Sequence, residues 1–98
     1  MEQGQIEIER RDRVKHGEYL AHVPGSDAPA KLTWTLRDGV RRAEHTSVPH
    51  ELRGRGLAGE LVDALIADAR REGFRIAPDC SYVARKFADH PEWDDLRA

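Results

Sequence analysis

The residues best suited to chemistry stand together near the middle of the chain, as Arg53-Gly54-Arg55-Gly56-Leu57-Ala58-Gly59, reached through Val48-Pro49-His50-Glu51-Leu52. Small residues let a backbone approach a bulky anion closely, and the free N–H groups at a helix start point at such a group. The helix dipole adds about half a positive charge there, and Arg53 and Arg55 supply formal charge locally. That is the chemistry of holding a phosphate. A tight turn before a helix, with two solvated arginines, would use the same residues for structure alone. Two other phosphate motifs do not fit. Gly54, Gly56 and Gly59 satisfy G-x-G-x-x-G with Asp79 downstream, but Pro49 to Arg53 separate the strand from the first glycine, whereas that fingerprint turns straight off its strand. The nucleotide-hydrolase loop needs Lys followed by Ser or Thr after its last glycine, and there is none.

Three further groups are reactive by type. His45 is the candidate general base, since imidazole as a type titrates near neutral pH, and it could equally be a hydrogen-bonded strand histidine. Its neighbour Glu44 would face the other way in a regular strand, so one of the two reaches any cleft. Cys80 is the single cysteine. It could accept an acyl group, protonate a leaving thiolate, or simply pack. One cysteine excludes an intrachain disulfide and a cysteine-rich zinc site. His16, His22 and His50 show no ligand spacing, so no metal site is expected.

These groups need elements to position them. Ile6, Ile8 and Val14 share one parity against Glu7, Glu9, Arg11 and Arg13, the pattern of a half-exposed strand. Lys15-His16-Gly17-Glu18 reads as a hairpin turn into a strand from Tyr19 to Val23. Pro24 to Pro29 is a loop by composition. Leu32, Trp34 and Leu36 alternate with polar residues, and Asp38-Gly39 is a strong hairpin signal before a polar fourth strand from Val40 to Val48. So polar a strand suggests that one end lies in a cleft. The period then changes. Leu57, Leu61, Val62, Leu65, Ile66 and Ala69 form one helical face, with Gly73 placed to stop the helix. Phe74 to Ala77 makes a fifth strand, which the crossover sets parallel to the fourth. Asp79 or Ser81 caps a short helix from Tyr82 to Ala88, and Trp93 anchors the tail. Cys80 thus sits between strand and helix, where a dipole favours thiolate. The fold class is α+β, one domain over residues 1–98.

Charged residues make up 35% and hydrophobic ones 39% of the chain, and formal net charge is −2; mean hydropathy is −0.73 and the isoelectric point about 6.2. An acidic balance disfavours nucleic acid as partner, and strand alternation splits Arg10, Arg11, Arg13, Arg41 and Arg42 between faces. No apolar run approaches the ~18 residues of a membrane span. Met1 to Gln5 shows no leader pattern, so a cytoplasmic protein, monomeric or weakly dimeric, is expected.

Val48-Pro49, then Arg53-Gly54-Arg55-Gly56-Leu57-Ala58 opening an amphipathic helix, resembles the acetyl-CoA motif of the GNAT-type (GCN5-related) N-acetyltransferases. His45-Thr46-x-Val48-Pro49, Pro78-x-Cys80-x-Tyr82-Val83 and His90-Pro91-Glu92 are similar to the small single-domain GNAT-like group, so the resemblance spans about residues 40 to 96. It implies a GNAT-like (acyl-CoA N-acyltransferase) fold: a mostly antiparallel sheet, a central crossover helix and a short C-terminal helix. The helices that larger members carry between their first two strands are missing, because a short turn joins Val14 to Tyr19. The resemblance implies acetyl-CoA as cofactor, held by Val48, Leu52, Arg53, Gly54, Arg55, Gly56, Leu57 and Ala58, with the turn's amides on the pyrophosphate. It implies His45 as base and Cys80 or Tyr82 as the leaving-group acid in acetyl transfer to a small-molecule or protein amine. The alternative is a CoA or acyl-CoA binding module with little or no transfer, since the missing helices wall the acceptor rather than the cofactor.

Overall fold

The computed structural model describes residues 6–98; the reading of Met1 to Gln5 falls outside the described residues. The alternating half becomes β1 (Glu7–Asp12), β2 (His16–His22), β3 (Ala30–Arg37) and β4 (Val40–Ser47). A 3₁₀ turn at His50–Leu52 leads to α1 (Leu57–Glu72), β5 (Arg75–Pro78), α2 (Ser81–Asp89) and a closing 3₁₀ segment, Pro91–Leu96. One sheet results, in the order β1-β2-β3-β4-β5, antiparallel throughout except that β5 runs parallel to β4. The α+β expectation and the crossover hold.

Local chemistry accounts for most boundaries. Asp38 and Gly39 both take positive φ, at 55° and 78°, which matches the right-handed twist of the β3–β4 hairpin. Leu57, Leu61, Val62, Leu65, Ile66 and Ala69 of α1 are buried against Tyr19, Ala21, Leu32, Trp34 and Ala43 of the sheet. Each fully buried leucine there contributes roughly 1.5–3 kcal/mol relative to exposure. Gly73 ends α1 at φ 80°, its N–H on the Ala69 carbonyl at 2.8 Å. Val83 and Phe87 bring α2 into the same core, and Trp93 closes it, edge-on to Phe87 (5.4 Å) and stacked with His90 (4.1 Å). No helix among the described residues is long and apolar enough to cross a membrane.

Three local expectations are corrected. The β1–β2 turn is Arg13 to Lys15, with the Arg13 N–H on the His16 carbonyl at 2.7 Å, and His16, Gly17 and Glu18 belong to β2. Gly17 is glycine because Trp34 leans over it. An added Cβ would meet the Trp34 ring (Cε2 at 2.8 Å) and the Arg11 carbonyl oxygen at 2.8 Å. Val14, read as a strand residue facing inwards, is 85% exposed at the turn. Neither Asp79 nor Ser81 caps α2: the cap position is Cys80, Asp79 is taken by Arg42 Nε at 2.8 Å, and Ser81 is the first helical residue.

The C-terminal end of α1 is tied to the sheet by charge. Arg10 donates to Asp68 Oδ2 at 2.8 Å and to Asp12 and Glu72, while the Tyr19 hydroxyl donates to Asp68 at 2.7 Å. Burial, followed by the hydrogen bond to Asp68, pushes the Tyr19 phenol well above its ordinary pKa. The hydrogen bond from Arg10 pulls the Glu72 carboxyl down to about 2. Beside this network the Arg41 guanidinium lies between the rings of Trp34 (4.2 Å) and Phe74 (4.1 Å).

Candidate functional site

The site begins with a difference in strand length. β5 pairs with β4 only from Val40 to Ala43. The Cys80 N–H then donates to the Ala43 carbonyl at 2.8 Å and the chain turns away into α2. The β4 edge from Glu44 to Ser47 therefore has no partner in β5. A cavity of about 430 Å³ opens along it, lined by Thr46, Ser47, Val48, Arg53, Ala58 and Tyr82. That volume is in the range of small-molecule sites, about 300–1,000 Å³.

The glycine turn forms one end of this groove. Gly54 and Gly56 take φ of 83° and 75°, and an added Cβ at either would meet nothing within 4 Å. Backbone conformation, not lack of room, dictates glycine at these two positions. Gly56 is the N-cap of α1 and offers no side chain to the helix; its carbonyl accepts the first helical bond from the Glu60 N–H at 3.1 Å. The amides of Leu57, Ala58 and Gly59 precede that bond, so the helix itself provides them no acceptor. Gly59 is under no such constraint. A Cβ there would make only ordinary contacts, 3.6 Å from the Tyr82 hydroxyl and 3.9 Å from Lys86 Nζ, and those distances put both groups over the first turn of α1.

At the other end lies Cys80, half-buried, its Sγ 3.4 Å from Thr46 Oγ1. Burial is the largest single influence and pushes the thiol up. The Thr46 hydroxyl and the backbone N–H groups of Val83, Tyr82 and Thr46 together outweigh it, leaving the pKa below its ordinary value. None of these amides makes a full capping hydrogen bond to Sγ.

His45 lies on the other side of the sheet. It pairs with Thr33, which alternates with the inward-facing Trp34, so its exposed side chain is on the face away from α1. The register shifts between Thr33 and Trp34, making Glu44 the extra residue of a β-bulge. Glu44 then accepts a hydrogen bond from Thr35 Oγ1 at 2.9 Å, on the same face as His45. Regular alternation would have put these neighbours on opposite faces; the bulge corrects that reading.

A family model described as GCN5-related N-acetyl-transferase matches residues 18–96. The chain belongs to the GCN5-related N-acetyl-transferase family. The match reaches well into the first half, where the sequence resembled the family in strand pattern alone. It agrees with the mixed sheet, crossover helix and short second helix described above, a GNAT-like α+β fold.

Within this GNAT domain the structure gathers some of the expected residues and separates others. Val48, Arg53, Ala58 and Tyr82 line the groove, and Cys80 joins them through Thr46. Gly54 and Gly56 shape the turn. Leu52 and Leu57 are both only 2% exposed, packed in the core, so any contact from them is left to the backbone. Arg55 lines a separate hollow beside Pro24 to Ala28 and Glu51. Tyr82 presents its hydroxyl to Gly59 rather than to Cys80. The sequence reading assigned Thr46 no role beyond its place in the His45-Thr46-x-Val48-Pro49 motif, and Lys86 was passed over. Lys86 was detectable, because it follows Tyr82 by one helical turn and shares its face. Thr46 was not, because its contact depends on where β5 stops. Among the described residues, no three His, Cys, Asp or Glu side chains gather as a metal site.

Proposed function

We propose that the chain binds acetyl-CoA in this groove and transfers the acetyl group to an amine. The supporting observation is the unpartnered β4 edge opening directly onto the uncapped first turn of α1. Strand-edge amides and carbonyls suit the paired amides of a pantetheine arm. The free amides of Leu57, Ala58 and Gly59, with the helix dipole and Arg53, suit a pyrophosphate. Lys86 adds a second cation over the same turn.

In the transfer the amine nitrogen bonds to the acetyl carbon as the carbon–sulfur bond breaks. The amine's surplus proton goes to a base and the departing sulfur gains one, giving amide and free CoA. Cys80, against Thr46 on the free part of β4, is the group we assign to the sulfur end, and its lowered pKa suits exchange of a proton with a departing thiolate. His45 and Glu44, both on the open face, are the groups placed to receive the amine's proton.

Calorimetric titration with acetyl-CoA and with free CoA, at two salt concentrations, tests the groove. Saturable binding near one equivalent is expected, weakening with salt. No heat at millimolar ligand would overturn the proposal. Thiol release on adding amines tests the transfer; binding without release for any amine would reduce the domain to a CoA-binding module.

A further inference from the structure

α1, α2 and the closing segment pack together on one face of the sheet. The opposite face is polar, and in it lies a second cavity of about 360 Å³, flanked by Arg11, Arg13, Glu18, Thr33, Thr35 and Glu44. Its floor is low because Thr33 and Thr35 lie between longer side chains. Building on the acetyl-CoA reading, we infer that this hollow receives the acceptor, and that the acceptor is a small amine carrying an anionic group at its far end.

A thioester laid along the free edge of β4 lies in the plane of the sheet, so its carbonyl carbon presents one face to each side. The side towards α1 is closed by Cys80, Thr46 and Tyr82. An amine has room to approach from the open side, where the bulge places Glu44 beside His45. Thr35 fixes the Glu44 carboxylate at the β4 rim of the hollow, where it can hold an ammonium. The opposite rim carries Arg11, itself steadied by Glu9 at 2.7 Å, and Arg13. Strands lie about 4.8 Å apart, so three steps from β4 to β1 set the two rims roughly 14 Å apart. Carboxylate at one rim and guanidinium at the other match a ligand of opposite polarity: amine towards β4, carboxylate or phosphate towards β1. Glu18, directly opposite Arg11 on β2, and Glu9 share that guanidinium, so Arg13 carries most of the charge offered to the ligand's anionic end.

The test compares a tripeptide with a free N-terminus and a C-terminal glutamate with its fully amidated counterpart. Backbone amide NMR shifts of the protein without CoA read binding to the hollow directly, and thiol release with acetyl-CoA reads turnover. The acidic peptide is expected to shift Thr33, Thr35 and Glu44 and to bind roughly tenfold more tightly than the amidated one. The paired substitution Arg11→Gln with Arg13→Gln should bring the two peptides to parity, acting on KM rather than kcat, whereas Arg11→Lys with Arg13→Lys should keep the preference. Calorimetry of CoA on the glutamine pair should match the unaltered protein, which separates a failure of the hollow from a failure of the groove. Equal binding of the two peptides, shifts confined to the α1 turn, or a preference that survives in the glutamine pair would each overturn the inference.

Discussion

At its C-terminal end α1 is satisfied twice over: Gly73 returns an amide to Ala69, and Arg10, Arg71 and Tyr19 surround Asp68 and Glu72. At its N-terminal end the same helix has a glycine cap with no side chain, three amides ahead of the first helical bond, and two cations nearby. Gly56 sits at φ 75°, outside the extended conformation from which a Ser, Asp or Thr could cap, so no side chain occupies these donors. The contrast shows where the domain places its stability and where it keeps donors available. The end that holds the fold together is saturated, and the end proposed to hold a pyrophosphate is left wanting an acceptor.

Asp68→Ala should have the largest effect, about 2–3 kcal/mol lost in urea unfolding, because it leaves the buried Tyr19 hydroxyl without its acceptor and removes one of Arg10's three carboxylate partners; CoA affinity should not change. A loss under half a kilocalorie would mean that the network is solvated decoration. Gly56→Val should act at the other end, forcing a β-branched residue to φ 75°. Calorimetry should show CoA binding weakened about thirtyfold, close to 2 kcal/mol. Unaltered affinity in the folded variant would remove the turn from the site. Cys80→Ala should leave CoA binding intact and slow thiol release about tenfold or more. An unchanged rate would return Cys80 to packing.

A subtler reading comes from pH. Glu72 titrates at about 2 in the fold against an ordinary 4.5. Its contribution is therefore complete above about pH 5 and lost as pH falls towards 2. Melting temperatures of the unaltered protein and of Arg10→Gln should converge over that window; a constant gap would dissociate Glu72 from Arg10. The smallest effect belongs to Lys86→Ala, a roughly threefold loss of CoA affinity that shrinks with added salt. Equal loss at all salt concentrations would mean that the stem packs and the charge does nothing.

Much of this was legible in the sequence, and the failures have identifiable causes. The apolar spacing from Leu57 to Ala69, the Asp38-Gly39 turn and Gly73 are local signals whose physics is local, and each stood where the structure has it. Gly17 misled because a glycine between charged residues looks like a turn. Its need arises from a tryptophan on another strand, which no nearby residue announces. The same holds at the site. The anion turn was visible from its glycines, but the divergent fates of Arg53 and Arg55, the burial of Leu52 and the side taken by His45 depend on how strands and loops meet across the sheet. Thr46 beside Cys80 brings together residues 34 positions apart, where spacing carries no information.

Glu44 is surplus to the alternation of β4. If the chain dropped it, Ala43 would still face the helices, His45 the open side, Thr46 the helices and Ser47 the open side. The strand's phase is the same with or without this residue, so it is an insertion that disturbs none of its neighbours. A lineage could gain, lose or exchange this carboxylate without repacking a single core position, and the acceptor side of such a domain would then be free to change its chemistry while the cofactor side stood still.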